Sequence, residues 1–225
     1  MKKGIRTNPM TVRDEVAALK RARIVEAAAD LFYKNGYDNT TLEAVGESLG
    51  VTKPFIYAHF KSKTELLAQI CSRAIESSSD VIDQALGLEV SATEKLERLA
   101  QEFVKTVLVN RKFIAIFTRE EKALSKEDLG EINKKRRKFD TQLAALLREG
   151  KATGEFSIGD EHVAALSIGG MVSWAYVWFR DGGRMSVEEV SQEMSALILN
   201  LVNASRRPSR NGRFVIYDED VAQIS

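Results

Sequence analysis

"LGVTKPFIYAHFKSKTELL", residues 49–67, holds two helix starts only ten residues apart. Thr52 is a capping residue, and Pro54 falls in a first turn, where its missing N–H costs nothing. Ser62-x-x-Glu65 is a capping box opening the next helix. The helix between them is predicted to close at Phe60 and Lys61, barely two turns long. So short a helix is not stable alone, yet it carries Phe55, Tyr57, His59 and Phe60 between lysines. Ile56 and Phe60, four apart, are predicted to hold it against its neighbours. Lys53, Phe55, Tyr57 and His59 are left for its other faces.

Upstream, Val16 to Asn35 reads as a helix with Ile24, Ala27, Ala28, Leu31 and Phe32 on one face, stopped by Gly36. Thr40-x-x-Glu43 predicts the cap of a second helix with Leu42, Val45 and Leu49 inward. Gly50 ends it, and "LGVT" is the turn into the short helix. Two helices joined by a tight Gly turn make a helix-turn-helix, whose second helix enters the major groove. On that reading Thr52 and Lys53 face phosphate, a tyrosine hydroxyl bonds a phosphate oxygen, and a phenyl ring meets a thymine methyl. Lys63 approaches the DNA backbone from the far side.

Charge follows the same division. Residues 1–63 carry 11 Lys and Arg against 7 Asp and Glu; the remaining 162 carry 22 against 25. A basic N-terminal part suits a polyanion, and the body need not meet one. The lone cysteine, Cys71, excludes an internal disulfide and a thiolate metal cluster. With no apolar run near the ~20 residues of a membrane span and no signal peptide, the expected place is the cytoplasm, with no membrane contact.

Downstream, the period predicts a long helix to about Leu86, then helices over Thr93–Asn110, Arg111–Leu124, Ser125–Glu149, Asp160–Arg180 and Ser186–Ala204. The fold class is therefore all-α with about nine helices. Residues 1–19 form a basic arm, 20–65 the helix-turn-helix domain, 66–204 a ligand-binding and dimerisation domain, and 205–225 an irregular tail in which "RFVIY" is a stray strand at most.

Residues 20–70, "TTLEAVGESLGVTKPFIYAHFKSKTELL" and the preceding "IVEAAADLFYKNGYDNTT" above all, resemble the signature of TetR-family (tetracycline-repressor-like) transcriptional regulators. The resemblance implies DNA contacts at Thr41, Thr52, Lys53, Phe55, Tyr57, His59 and Lys63. Pro54 stands where the family usually has a small residue. The resemblance further implies an all-helical homodimer, a double-stranded operator and a variable C-terminal domain for a small-molecule inducer.

In the body, "IGGMVSWAYVWFR" at 168–180 is apolar on almost every side and should be buried on several faces. With the last helix (Val190, Met194, Leu197, Ile198, Leu201) it suits a four-helix dimer interface. Phe103, Phe113, Phe117, Trp174 and Trp178 are candidates to line a pocket. Residues 160–200 weakly resemble regulators of fatty-acid and steroid catabolism, which implies an acyl-CoA inducer. Arg180, Arg184 and "KKRRK" at 134–138 are cations for its phosphates. There is no Gly-rich phosphate loop, no HExxH and no nucleophile elbow. No catalytic residue, metal ligand or cofactor is expected. The alternative is a helical enzyme or adaptor acting on an apolar small molecule without DNA.

Overall fold

The structure is a computed structural model and describes residues 11–204. Every regular element among them is helical: α1 Val12–Asn35, α2 Leu42–Leu49, α3 Lys53–Tyr57, α4 Lys63–Leu86, α5 Ala92–Val109, α6 Arg111–Glu120, α7 Lys126–Ala152, α8 Glu161–Ser173, α9 Ala175–Trp178 and α10 Val187–Leu201. A 3-10 turn, Glu121–Ala123, follows α6. α8 and α9 come from the one apolar segment expected to run unbroken to Arg180. It tightens at Trp174, where the Val177 N–H donates to the carbonyl only three residues back. Counted as one, they bring the described residues to nine helices. None is long and apolar enough to cross a membrane.

Caps fix most helix starts. The Ser91 and Ser186 boxes close on Glu94 and Glu189, and Asp160 accepts from the His162 and Val163 N–H groups. Three expectations shift. α1 starts at Val12, not Val16, because Thr11 and Asp14 form a capping box of their own. The arm expected over 1–19 is thus helical from residue 12; residues 1–10, the tail and "RFVIY" lie outside the described residues. The cap of α2 is Thr41, not Thr40; Thr40 is buried and donates its hydroxyl to the Gly36 carbonyl at 2.9 Å. α3 ends at Tyr57, although the His59 and Phe60 N–H groups still donate to the Ile56 carbonyl and keep the chain coiled to Phe60.

The side chains divide into two cores. One gathers α1, α2, α3 and the first half of α4 around Phe32, Val45, Ile56, Phe60 and Leu66, and is completed by Phe113, Ile116 and Phe117 of α6 and Ile132 of α7. The other joins the end of α4 to α5, α7, α8 and α10 around Leu96, Leu99, Leu143, Leu147 and Ile198. α4 contributes to both.

The 168–180 segment is not buried as expected. Its inner row, Ile168, Val172 and Ala175, faces the core, whereas Trp174 is 59% and Trp178 49% exposed. No element among the described residues covers that outer row.

Candidate nucleic-acid interface and ligand cavity

The short helix is held as its sequence requires. Ile56 and Phe60 are fully buried, worth about 1.5–3 kcal/mol each. Gly50, at φ 66, makes the left-handed turn between α2 and α3. Gly46 lets α3 approach, since a Cβ there would lie 3.1 Å from the Val51 carbonyl oxygen and 3.4 Å from Ile56. From α1, Arg21 lays its guanidinium over the Phe60 ring at 4.2 Å, donates to the His59 carbonyl and lies 3.6 Å from Glu65. Nothing in the local pattern ties residue 21 to residue 59, so sequence reading missed this clamp.

The seven expected DNA-contact residues end in different situations. Thr52, Lys53 and Tyr57 are exposed on or beside α3, and Tyr57 is 45% accessible. The Thr52 hydroxyl makes no bond to the protein among the described residues. Lys53 pairs with Glu43 of α2, and its ammonium also lies 5.6 Å from the Tyr57 ring centroid. That pairing raises the lysine's pKa and lowers the carboxylate's. Phe55 and His59 are half-buried and meet edge to face at 5.1 Å. Lys20, which the sequence reading did not single out, brings an ammonium to 5.8 Å from the Phe55 ring. Thr41 is exposed but engaged, its hydroxyl accepting from the Ala44 N–H at 3.1 Å.

Lys63 departs furthest from expectation. Its ammonium turns inward, donates to the Tyr37 carbonyl at 2.9 Å and sits 4.2 Å over the Tyr37 ring. It ties α4 to the α1–α2 turn and is no longer an unengaged cation for DNA.

A cavity of about 370 Å³ lies at the seam of the two cores. Ile75 of α4 and Ile114 and Phe117 of α6 wall it on one side; Phe103 and Phe139 wall it on the other, and Trp174 is at its edge. Of the expected ligand residues, Phe103, Phe117 and Trp174 line it. Phe113, Trp178 and Arg180 do not. Phe113 is buried in the N-terminal core, with the Arg73 guanidinium 4.7 Å from its ring. Trp178 sits on the outer row past the break at Trp174. Arg180 is exposed and folds back on the Val177 and Phe179 carbonyls. Of the "KKRRK" run, Lys135 bonds Ser72 and Glu76, and Lys138 bonds Asp83. Arg136 is the one of the five that reaches the cavity, 5.8 Å from the Phe117 ring.

Between interface and cavity runs a charge cluster over three helices. Arg73 of α4 donates to Glu26 of α1 at 3.0 Å. Lys112 of α6 donates to the same Glu26 and to Asp30 at 2.7 Å. Burial alone would lower the Lys112 pKa, but the two carboxylates outweigh it and raise it.

The family model for the tetracyclin repressor-like C-terminal domain matches residues 89–202, and that for bacterial regulatory proteins of the tetR family matches residues 24–70. The chain belongs to the TetR family. It is a transcriptional regulator with a helix-turn-helix in α2–α3. Among its relatives is the HTH-type transcriptional repressor KstR2 of Mycolicibacterium smegmatis, 26% identical over 84% of this chain and 93% of that one. Among solved structures, the TetR-family regulator PfmR of Thermus thermophilus is 30% identical at a TM-score of 0.74, covering 82% of this chain and all of that one. AibR, solved with isovaleryl coenzyme A and operator DNA, shares the fold at a TM-score of 0.71 and 23% identity, covering 83% of this chain and 100% of that one.

Proposed function

We propose that this TetR-family regulator is a cytoplasmic repressor that binds a pseudo-palindromic operator as a homodimer and is released by a small apolar ligand, with an acyl-CoA thioester the leading class. One observation carries the ligand-gated reading. α4 begins at Lys63, beside the recognition helix, and lines the cavity with Ala74, Ile75 and Ser78. Those positions lie about 16–23 Å along one rigid helix. A ligand seated against it tilts the helix and changes the separation of the two recognition helices. That separation must match about 34 Å, one helical turn of DNA. Only a ligand that prefers the released state shifts the balance. A coupling of about 1–3 kcal/mol weakens DNA binding roughly 5- to 150-fold.

The KstR2 relatives, repressors by name, support the sign of regulation. The apolar cavity supports an acyl chain, and Arg136 at its edge supports an anionic head. The exposed apolar residues of α8 (Val163, Leu166), of the break after it (Trp174) and of α10 (Leu197, Leu201) support the dimer. Thr52, Lys53, Phe55, Tyr57 and His59 are the proposed DNA contacts, with Lys20 added.

The test is a titration of the protein bound to its own promoter fragment with acyl-CoAs, free fatty acids and aromatic acids. An acyl-CoA is expected to release DNA, and Phe117→Ala to blunt that release while leaving ligand-free DNA affinity near its starting value. If only non-thioester compounds act, the thioester class is wrong; if no apolar compound acts, ligand gating is wrong. Leu197→Glu, which puts a charge in the apolar row, is expected to dissociate the dimer in sedimentation. An unweakened dimer would move the interface elsewhere.

A further inference from the structure

We propose that Asp140 filters the ligands of this cavity, admitting those that bring a hydrogen-bond donor to its carboxylate and turning away those whose buried end is a free carboxylate. This deepens the ligand-gated reading and rests on it.

The walls are mostly apolar; their polar side chains are Ser78, Thr118, Arg136, Asp140, Ser173 and Tyr176. The Thr118 hydroxyl donates to the Ile114 carbonyl of its own helix at 3.0 Å, and the Ser78 hydroxyl to the Ala74 carbonyl at 3.5 Å. Their protons are used, so they turn lone pairs to the cavity. Asp140 of α7 lines the same space, with Oδ1 3.9 Å from where a Cβ on Gly169 would stand. It has no hydrogen bond or ion pair with any described residue. Arg136, one turn earlier on α7, is exposed at the mouth and does not reach it.

Burial pushes the Asp140 carboxyl above the ordinary aspartate value, and the nearby Arg136 charge only partly opposes that. No described residue gives it a donor, and a ligand can supply one. A hydroxyl or amide N–H meets that need. An ionised acid sets two carboxylates against each other beside a half-buried Asp140. The same acyl chain masked as an ester or thioester carries no such charge. Arg136, outside, is free for an anionic head that stays in solvent.

Binding is measured by calorimetry on the full chain at pH 8, with three eight-carbon probes: 1-octanol, methyl octanoate and octanoate. A charge-assisted hydrogen bond predicts 1-octanol at least about tenfold tighter than octanoate, with methyl octanoate between them. Asp140→Asn keeps the shape and removes the charge. In that variant octanoate is expected to come within about threefold of 1-octanol. The readout is a change of preference between probes, so it does not depend on a loss of binding. Octanoate as tight as 1-octanol in the natural protein, or an Asp140→Asn variant that keeps the full discrimination, would overturn the assignment while leaving the cavity a ligand site. No binding of any probe would overturn the cavity reading together with it.

Discussion

The N-terminal core and the body core are built differently. The body core is closed by its own helices, α5 with α10 and α7 with α8. The N-terminal core is not self-contained: Phe113, Ile116, Phe117 and Ile132 reach it from the body. A three-helix unit of about 45 residues is too small to bury enough surface alone, and α6 makes up the deficit. Dependence on α6 has a mechanical consequence. The helix that completes one core also walls the cavity at the edge of the other. Packing interiors have two arrangements more readily than a continuum of them, and a void at the seam is where a small molecule can choose between them.

The sharpest way to break this comparison is to damage each core in turn. Phe60→Ala is expected to cost about 3–5 kcal/mol and Leu99→Ala about 2–5 kcal/mol. Because α4 and α6 bind the cores together, both variants should lower a single urea transition followed by circular dichroism. Two separated transitions would mean that the cores unfold independently and that α6 couples them little.

A smaller effect separates reading DNA from holding the reader. Tyr57→Ala removes an exposed side chain and is expected to weaken promoter binding by about 1–3 kcal/mol with an unchanged melting temperature. Lys63→Ala removes the tie to the Tyr37 carbonyl, so it should lower the melting temperature as well as the affinity. Anisotropy titrations paired with thermal melts decide this. A Lys63→Ala variant of undiminished stability would return that lysine to a simple phosphate contact.

The smallest effect concerns acid. Glu155 accepts from the Thr93 N–H at 2.9 Å and hydroxyl at 2.8 Å, holding the start of α5. Burial raises its pKa, but the bonds from Thr93 and Thr153 outweigh burial and leave it below the usual 4.5. A carboxyl lowered in the folded state stabilises above its unfolded value, and that stability is lost as pH falls through the folded one. Glu155→Gln should therefore flatten the melting-temperature curve below about pH 4.5, by a fraction of a kcal/mol, and leave the slope above it alone. An unchanged acid limb would remove Glu155 from the account.

How far the sequence carries depends on the range of each interaction. Helix identity, the Gly50 turn and the caps at Ser62, Ser125 and Ser186 are all set within four residues. They were legible for that reason, as was the burial of Ile56 and Phe60. The start of α2 slipped because Thr40 and Thr41 both satisfy a cap pattern, and only the fold buries the first of them. The candidate site was legible in part. Tyr57 was placed on the outer side of α3 by elimination, since Ile56 and Phe60 had taken the inner one.

What only tertiary structure decided is where equal local signals part ways. Phe113 and Phe117 lie one turn apart on α6 with the same chemistry and both join the N-terminal core, yet only the second also lines the cavity. α1 covers the start of α6, while α7 and α8 leave space beside its end. Lys53 and Lys63 read alike in sequence, but a carbonyl 26 residues away claims the second. Trp174 and Trp178 belong to the most apolar segment of the chain and still face outward. The hydrophobic effect fixes how much surface must be covered, not which element covers it.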